Sequence, residues 1–115
     1  MLYTAMVHYK QSKVRSYIEE HLTEPMKMGD LYEIAKMGHT YFNRLFKVTF
    51  GMTPGDYVLK RRIDFACELM RTTSFPNYRI AIECGFTDGT YFARRFRKIM
   101  GVGPMEWRKE HGCLV

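Results

Sequence analysis

The sequence has few of the features that mark exported or membrane-spanning proteins. Its three cysteines, Cys67, Cys84 and Cys113, lie far apart and outside any CxxC or Cys/His cluster. An odd number of scattered cysteines predicts neither a disulfide framework nor a zinc site, so we expect reduced thiols, with Cys67 and Cys84 in the core. No apolar run approaches the roughly 20 residues of a membrane-spanning helix, and no secretory leader is visible. We therefore expect a cytoplasmic protein.

Catalytic motifs are also absent. The chain has no glycine-rich phosphate loop, no HExxH pair, no nucleophile elbow and no paired carboxylates at a coherent spacing. The four histidines stand singly rather than in a cluster that would hold a metal or a reacting group; they are His8, His21, His39 and His111. The sequence therefore predicts no enzyme, no catalytic residue, no metal site and no cofactor.

What is present is the composition of a small folded protein with a basic bias. The 115 residues are 46% hydrophobic and 26% charged, which allows one domain or two very small modules with a real core. Lys and Arg number 18 against 12 Asp and Glu, so the net charge is +6. Such a balance suits an anionic partner, either nucleic acid or an acidic membrane surface.

An internal repeat recurs at a separation of 50 residues. Each copy is also preceded by an Ile-Ala pair, Ile34-Ala35 in the first and Ile80-Ala81 in the second. A repeated block of this kind predicts two related structural units. The matched pairs are Tyr41/Tyr91, Phe42/Phe92, Arg44/Arg94, Phe46/Phe96, Gly51/Gly101 and Pro54/Pro104, with Lys47/Arg97 and Tyr57/Trp107 as like-for-like partners.

Both copies have helical periodicity, because their apolar residues recur at three- and four-residue spacing. Gly51 and Gly101 are predicted to end helices in the left-handed conformation. Thr53 is predicted to cap a helix that starts at Pro54 and continues to about Arg71, a rod of about 26 Å. With no strand-like alternation, the sequence predicts an all-α fold of about seven helices.

The helices group into two helix-turn-helix subdomains joined by the long linker helix. Ahead of the repeat, an amphipathic helix ends before Pro25, and a short helix capped by Asp30 is predicted to run to about Met37. The predicted segments are an N-terminal subdomain at 8–52, a linker helix at 53–71 and a C-terminal subdomain at 72–112.

The positive charge is concentrated in two stretches. Residues 36–62 hold six basic side chains against one acidic, a balance of +5, and residues 91–109 hold the same numbers. Residues 16–35 hold one basic side chain against five acidic ones, a balance of −4. This distribution is expected if the second helix of each repeat faces phosphates and the N-terminal helix does not.

These residues resemble the DNA-binding domain of the AraC/XylS family of bacterial transcription regulators. The resemblance covers about residues 14–109 and implies two helix-turn-helix units whose recognition helices enter successive major-groove segments on one face of double-stranded DNA. It is most specific over Ile80-Ala81, Gly85-Phe86, Asp88, Tyr91-Phe92, Arg94, Phe96-Arg97-Lys98, Gly101, Pro104 and Trp107-Arg108.

The resemblance also assigns roles to individual side chains. It implies a monomeric DNA-binding unit, RNA polymerase as a protein partner, activation as the regulatory effect, and no membrane contact. Phe42, Phe46, Phe92, Phe96 and Trp107 are expected in the core. The candidates for base contacts are Thr40, Asn43, Arg44, Thr90, Ala93, Arg94 and Arg97, and those for phosphate contacts are Lys47, Arg95 and Lys98.

Two features depart from the family pattern. Tyr41 follows Ala35 by six residues, whereas Tyr91 follows Ala81 by ten, so the first recognition helix is predicted to have lost part of its N-terminal end. Asn77 stands where the family usually has an aliphatic residue, which puts the packing of residues 74–79 in question.

Two alternatives keep the fold and change the role. The chain is then the DNA-binding part of a larger protein, either a ligand-sensing regulator or a repair methyltransferase. Otherwise it is a protein-interaction module derived from such a domain, with the acidic residues 16–35 contacting a basic polymerase surface. An upstream coding sequence favours the first alternative, and loss of activation with retained DNA binding in Glu19 and Glu20 variants favours the second.

Overall fold

The computed structural model describes residues 6–112, and across that range it holds seven α-helices and no strand. The predicted all-α class and helix number are confirmed. None of the helices in this range is both long enough and apolar enough to cross a membrane. The helices are α1 (His8–Glu20), α2 (Met28–Ala35), α3 (His39–Phe50), α4 (Pro54–Thr72), α5 (Asn77–Glu83), α6 (Gly89–Met100) and α7 (Pro104–His111).

The chain divides into two compact units, and the division falls inside α4 between Val58 and Leu59. We call them the first unit and the second unit. The first contains α1, α2, α3 and the start of α4, and the second contains the rest of α4 with α5, α6 and α7. The predicted segment boundaries at 8–52, 53–71 and 72–112 stay predictions.

The core of the first unit forms where α1 packs on α2 and α2 packs on α3. Val14 and Ile18 lie on the buried side of α1, as the three- and four-residue spacing of its apolar residues requires. Phe46 of α3 is fully buried and stacks on Phe50 with ring centroids 4.2 Å apart. The expected core position of Phe42 and Phe46 is confirmed, since neither has exposed surface.

The core of the second unit is built along one side of α4. Ile63, Ala66 and Met70 of that helix are fully buried, and the remaining members come from α5, α6, α7 and the turn after α5. The expected core positions of Phe92, Phe96 and Trp107 are confirmed. The buried residues contributed by those later segments are Ile80, Ala81, Cys84, Phe86, Phe92, Phe96 and Trp107.

The described thiols are core groups. Cys67 and Cys84 are both buried, and burial raises the pKa of Cys67 to about 11 and that of Cys84 to about 12. A thiol held neutral in this way is a poor nucleophile and packs as a small apolar residue. The expectation for these two cysteines is confirmed, and Cys113 lies outside the described residues.

The predicted helix ends are confirmed at both glycines. Gly51 has φ 82° and Gly101 has φ 88°, the left-handed conformation that closes α3 and α6. Thr53 caps α4, because its hydroxyl oxygen accepts a hydrogen bond from the Asp56 N–H at 3.2 Å.

The predicted cap at Asp30 is wrong. The N-cap is Lys27, three residues earlier, and α2 runs from Met28 to Ala35. The Asp30 carboxylate lies inside the first turn, where it accepts a hydrogen bond from the Tyr17 hydroxyl of α1 at 3.0 Å. An acidic side chain is favoured throughout the first turn of a helix, so composition alone did not identify the capping position.

Candidate nucleic-acid interface

In both units the first helix of the helix-turn-helix, α2 or α5, ends in the same way. After α2 the Met37 N–H donates to the Tyr32 carbonyl oxygen at 3.0 Å, and after α5 the Phe86 N–H donates to the Ala81 oxygen at 3.0 Å. This six-residue closure is the Schellman arrangement, and it requires a left-handed residue just before its last N–H. That residue is Lys36 in the first unit, with φ 57°, and glycine in the second.

This hydrogen bonding corrects the alignment of the two units. Leu31 and Ala35 are fully buried and take the places of Ile80 and Cys84, which are fully buried as well. The Ile-Ala pairs identified in the sequence are therefore not equivalent, and Ile34 is only half-buried.

The first recognition helix is not truncated, so the prediction that it lost its N-terminal end is wrong. Helices α3 and α6 both have 12 residues, with Thr40 and Thr90 each as the second residue. From the left-handed residue to the N-cap, the first turn runs from Lys36 to Gly38 and the second from Gly85 to Asp88. The first turn is thus one residue shorter, and the helix that follows it is complete.

The starts of α3 and α6 are stabilised differently. The carboxylate of Asp88 accepts hydrogen bonds from the Thr90 N–H at 2.9 Å and the Tyr91 N–H at 3.4 Å. Gly38 is the N-cap of α3 and supplies no side-chain bond. Capping by Asp88 was not recognised from the sequence, although an Asp two residues before a helical Thr-Tyr is a usable signal.

Both recognition helices turn a matching stripe of side chains outward. Residues at helix positions two, five, six and nine share one side of an α-helix, and the phenylalanines at positions four and eight face the core. The stripe holds Thr40, Asn43, Arg44 and Lys47 on α3, and Thr90, Ala93, Arg94 and Arg97 on α6.

Six of these eight side chains are exposed, and the fifth-position residues are half-buried. Asn43 lines an open pocket of about 290 Å³ together with Met28, Tyr32 and Thr53. Arg94 extends over the ring of Tyr91, its guanidinium carbon 5.8 Å from the ring centroid. The structure therefore brings the predicted base-contact residues of each unit onto one face.

The two stripes hold two cations each, but the two helices differ in charge. Helix α6 carries Arg94, Arg95, Arg97 and Lys98, whereas α3 carries Arg44 and Lys47, and neither helix contains an acidic residue. At the positions of Arg95 and Lys98, α3 has a buried leucine and an exposed valine. Among the predicted phosphate contacts, Lys47 and Lys98 are exposed and Arg95 is half-buried.

The equal charge of the two sequence stretches does not carry over to the helices. Lys60 and Arg61 contribute to the first stretch but lie on α4 in the second unit, where both pair with the Asp64 carboxylate, at 3.2 Å and 2.9 Å. Arg108 contributes to the second stretch, but its guanidinium donates to oxygens of residues 73–77. The cationic face of α6 is therefore the stronger of the two.

Comparison with known proteins decides the family. A family model described as a helix-turn-helix domain matches residues 31–110. A solved structure of an AraC-type DNA-binding domain protein from Chromobacterium violaceum superposes with a TM-score of 0.81 at 28% identity, covering 90% of this chain and 92% of that one. The chain belongs to the AraC/XylS family.

Two further similar proteins show how much of each chain the match spans. The probable transcriptional regulator LumQ of Photobacterium leiognathi is 33% identical over 95 residues, which are 83% of this chain and 38% of LumQ. This chain thus spans little more than a third of that relative. The DNA-binding domain of the transcriptional factor AdpA, solved with a target DNA, has a TM-score of 0.80 at 26% identity, covering 86% of this chain and 89% of that one.

Proposed function

We propose that this AraC/XylS domain binds double-stranded DNA sequence-specifically and regulates transcription. One observation carries the proposal: each unit presents the same threonine-arginine-cation stripe on a 12-residue helix whose opposite side is packed by two phenylalanines. A helix of this kind fits the major groove, where the side chains near its N-terminus reach base edges. Family membership supports the same role, since the related domain of AdpA was solved on its target DNA.

The assignment of base contacts follows from position along each helix. Residues in the first half of α3 and α6 are placed to read bases, and Arg94 has the side chain best suited to a bidentate bond with guanine. These residues are Thr40, Asn43 and Arg44 in the first unit and Thr90, Ala93 and Arg94 in the second.

Phosphate contacts are assigned to the later cations of each helix. The phosphate contacts expected from the sequence stay assigned to Lys47, Arg95 and Lys98. Arg97 was expected to read bases, but it is the ninth residue of α6, in the last turn and equivalent to Lys47. We assign Arg97 to phosphate, because the residues of a recognition helix that contact base edges lie near its N-terminus and Arg97 does not.

Both units take part in the proposed complex, each with its recognition helix in one of two successive major-groove segments. A single chain then recognises a non-palindromic site as a monomer, because the two readers are covalently linked. We further propose that the protein acts in the bacterial cytoplasm as an activator and contacts RNA polymerase.

The second candidate is that this domain is the DNA-binding part of a longer regulator. It is favoured by the comparison with LumQ, of whose length the match covers 38%. In that case an additional domain controls the DNA affinity, whereas in the first case the abundance of the protein does.

Selection from a random duplex library, followed by fluorescence anisotropy on the enriched site, tests the proposed function. We expect enrichment of a site spanning two adjacent major-groove segments, with affinity that falls as salt rises, because bound cations displace counterions from DNA. Enrichment of one segment only would limit base reading to one unit. If no duplex were enriched and anisotropy showed no salt-dependent binding, the proposal would be wrong.

A further inference from the structure

The guanidinium of Arg108, in the C-terminal cationic stretch, is directed into its own unit. It lies on α7 and is half-buried. Nη1 donates to the Phe75 carbonyl oxygen and to Asn77 Oδ1, the latter at 2.8 Å, and Nη2 donates to the Thr73 carbonyl oxygen at 2.9 Å. Three oxygens more than 30 residues away in sequence thus converge on one side chain.

The segment that receives these bonds sets the start of α5. Residues 73–76 have no regular secondary structure, and α5 starts at Asn77. The N-cap is Pro76, which makes no side-chain capping bond and has no N–H. The long-range bonds from Arg108 add to a local bond from the Phe75 N–H to Thr73 Oγ1, at 3.3 Å, in holding the chain where it enters the helix-turn-helix.

Helix α5 in turn positions α6. Ile80 and Ala81 of α5, with Cys84 at its C-cap, pack in the same cluster as Phe92 and Phe96 of α6. A shift at the start of α5 is passed to the recognition helix through this close-packed contact, since protein cores yield little to displacement. A guanidinium suits this place because it is planar and presents several donors in fixed directions, which an ammonium group does not.

We propose that Arg108 is a positioning residue for DNA recognition by the second unit and makes no phosphate contact. Its hydrogen bonds to Thr73, Phe75 and Asn77 orient α5, and α5 holds the α6 stripe at the angle that base reading requires. Asn77 is part of this device, which explains a polar side chain where an aliphatic one was expected. The inference rests on the proposed function, because its readout is DNA binding.

The charge-conserving variant Arg108→Lys tests this directly on the duplex selected by the wild-type chain. We expect roughly tenfold weaker binding with an unchanged slope of log Kd against log salt, because one ammonium nitrogen cannot take the places of both Nη1 and Nη2. The matched control Arg97→Lys, at a proposed phosphate contact, should bind nearly as well as wild type. Lys98→Gln should reduce the salt slope by about one ion.

The opposite pattern would overturn the assignment. If Arg108→Lys binds like wild type and Arg108→Gln reduces the salt slope by about one ion, Arg108 is a phosphate contact. In a double-mutant cycle, Asn77→Ala and Arg108→Lys should be non-additive, because they break one shared network. Additive effects would contradict the role given to Asn77.

Amide hydrogen exchange tests this inference without DNA, so it separates the role of Arg108 from the proposed function. It also shows whether a variant has lost its fold outside α5. The amides of Ile80 and Ala81 should exchange faster in Asn77→Ala and Arg108→Lys, while those of Phe42 and Phe46 in the first unit are unaffected. Unchanged exchange in α5 would refute the positioning role. A wild-type chain that bound no DNA would refute the proposed function, and the exchange result would still decide whether Arg108 holds α5.

Discussion

The two units share a core design and differ in how the recognition helix is started and charged. Both pack two phenylalanines beneath a 12-residue helix and end it with a left-handed glycine. In the second unit α6 is capped by the Asp88 side chain and carries four cations. In the first unit the N-cap of α3 is Gly38, which has no side chain, and the helix carries two cations. The apolar pattern therefore maintains the fold, while the cap and the cations are free to set different contributions to binding.

The largest expected effect is the loss of stability when a core phenylalanine, the feature that both units share, is removed. Phe46→Ala and Phe96→Ala should each destabilise their own unit by about 3–5 kcal/mol, because both rings are fully buried and leave a cavity when removed. Denaturant unfolding followed by NMR signals of each unit measures both values. A cost below about 1 kcal/mol in either unit would show that the two cores are not equivalent.

A smaller effect is expected at the base-reading position that both units share. Arg94→Ala and Arg44→Ala should each weaken binding to the selected site by about 1–3 kcal/mol and relax the preference at one base pair. The relaxed base pairs should fall in different groove segments. Anisotropy with single-base variants of the duplex measures both effects. Loss of affinity without relaxed specificity would reassign the arginine to phosphate.

Deprotonation of thiols at alkaline pH should destabilise the second unit, because both described cysteines belong to it and residues 1–58 contain none. An unfolded thiol loses its proton near pH 9, whereas folded Cys67 and Cys84 keep theirs to about 11 and about 12. Between those values the unfolded state binds fewer protons, so stability falls as pH rises, by up to about 1.4 kcal/mol per pH unit for each thiol.

Fluorescence of Trp107, the single tryptophan, reports unfolding of the second unit. The loss between pH 9 and 11 should become shallower in Cys84→Ala. An equally steep loss in that variant would attribute the pH dependence to other groups.

The smallest expected effect concerns the left-handed residue in the turn after α2 and after α5. Lys36 adopts a left-handed conformation that costs a residue with a Cβ roughly 1 kcal/mol, so Lys36→Gly should stabilise the first unit by about that amount. Gly85→Ala, at the equivalent place with φ 93°, should destabilise the second unit by a similar amount. Thermal unfolding monitored for each unit measures the pair. The same sign for both substitutions would contradict the structural equivalence of the two turns.

Features encoded by local pattern were predictable from the sequence. The buried phenylalanines follow from helical spacing, and Gly51 and Gly101 follow from the conformations that only glycine adopts readily. The register of the first turn was not predictable in this way, because its left-handed residue is Lys36. The identical Ile-Ala pairs then gave a false alignment, which the closing hydrogen bonds of α2 and α5 and the burial of Leu31 and Ala35 correct.

The role of Arg108 shows a second limit of sequence reading. A basic residue in a basic stretch reads as a phosphate contact, and its three oxygen partners lie more than 30 residues earlier in the chain. Contacts of that range come from tertiary packing. Charge counts over sequence windows therefore overestimated the DNA-facing charge at Lys60, Arg61 and Arg108, whose partners lie within the second unit.

The central claim is that both helix stripes bind DNA and that α6 makes more of the phosphate contacts. The direct test is the slope of log Kd against log salt for the selected duplex, measured for wild type, Arg44→Gln/Lys47→Gln and Arg94→Gln/Arg97→Gln/Lys98→Gln. We predict a smaller slope in both variants, by about one ion for α3 and about two for α6. A wild-type chain without salt-dependent binding, or variants with the wild-type slope, would contradict the claim.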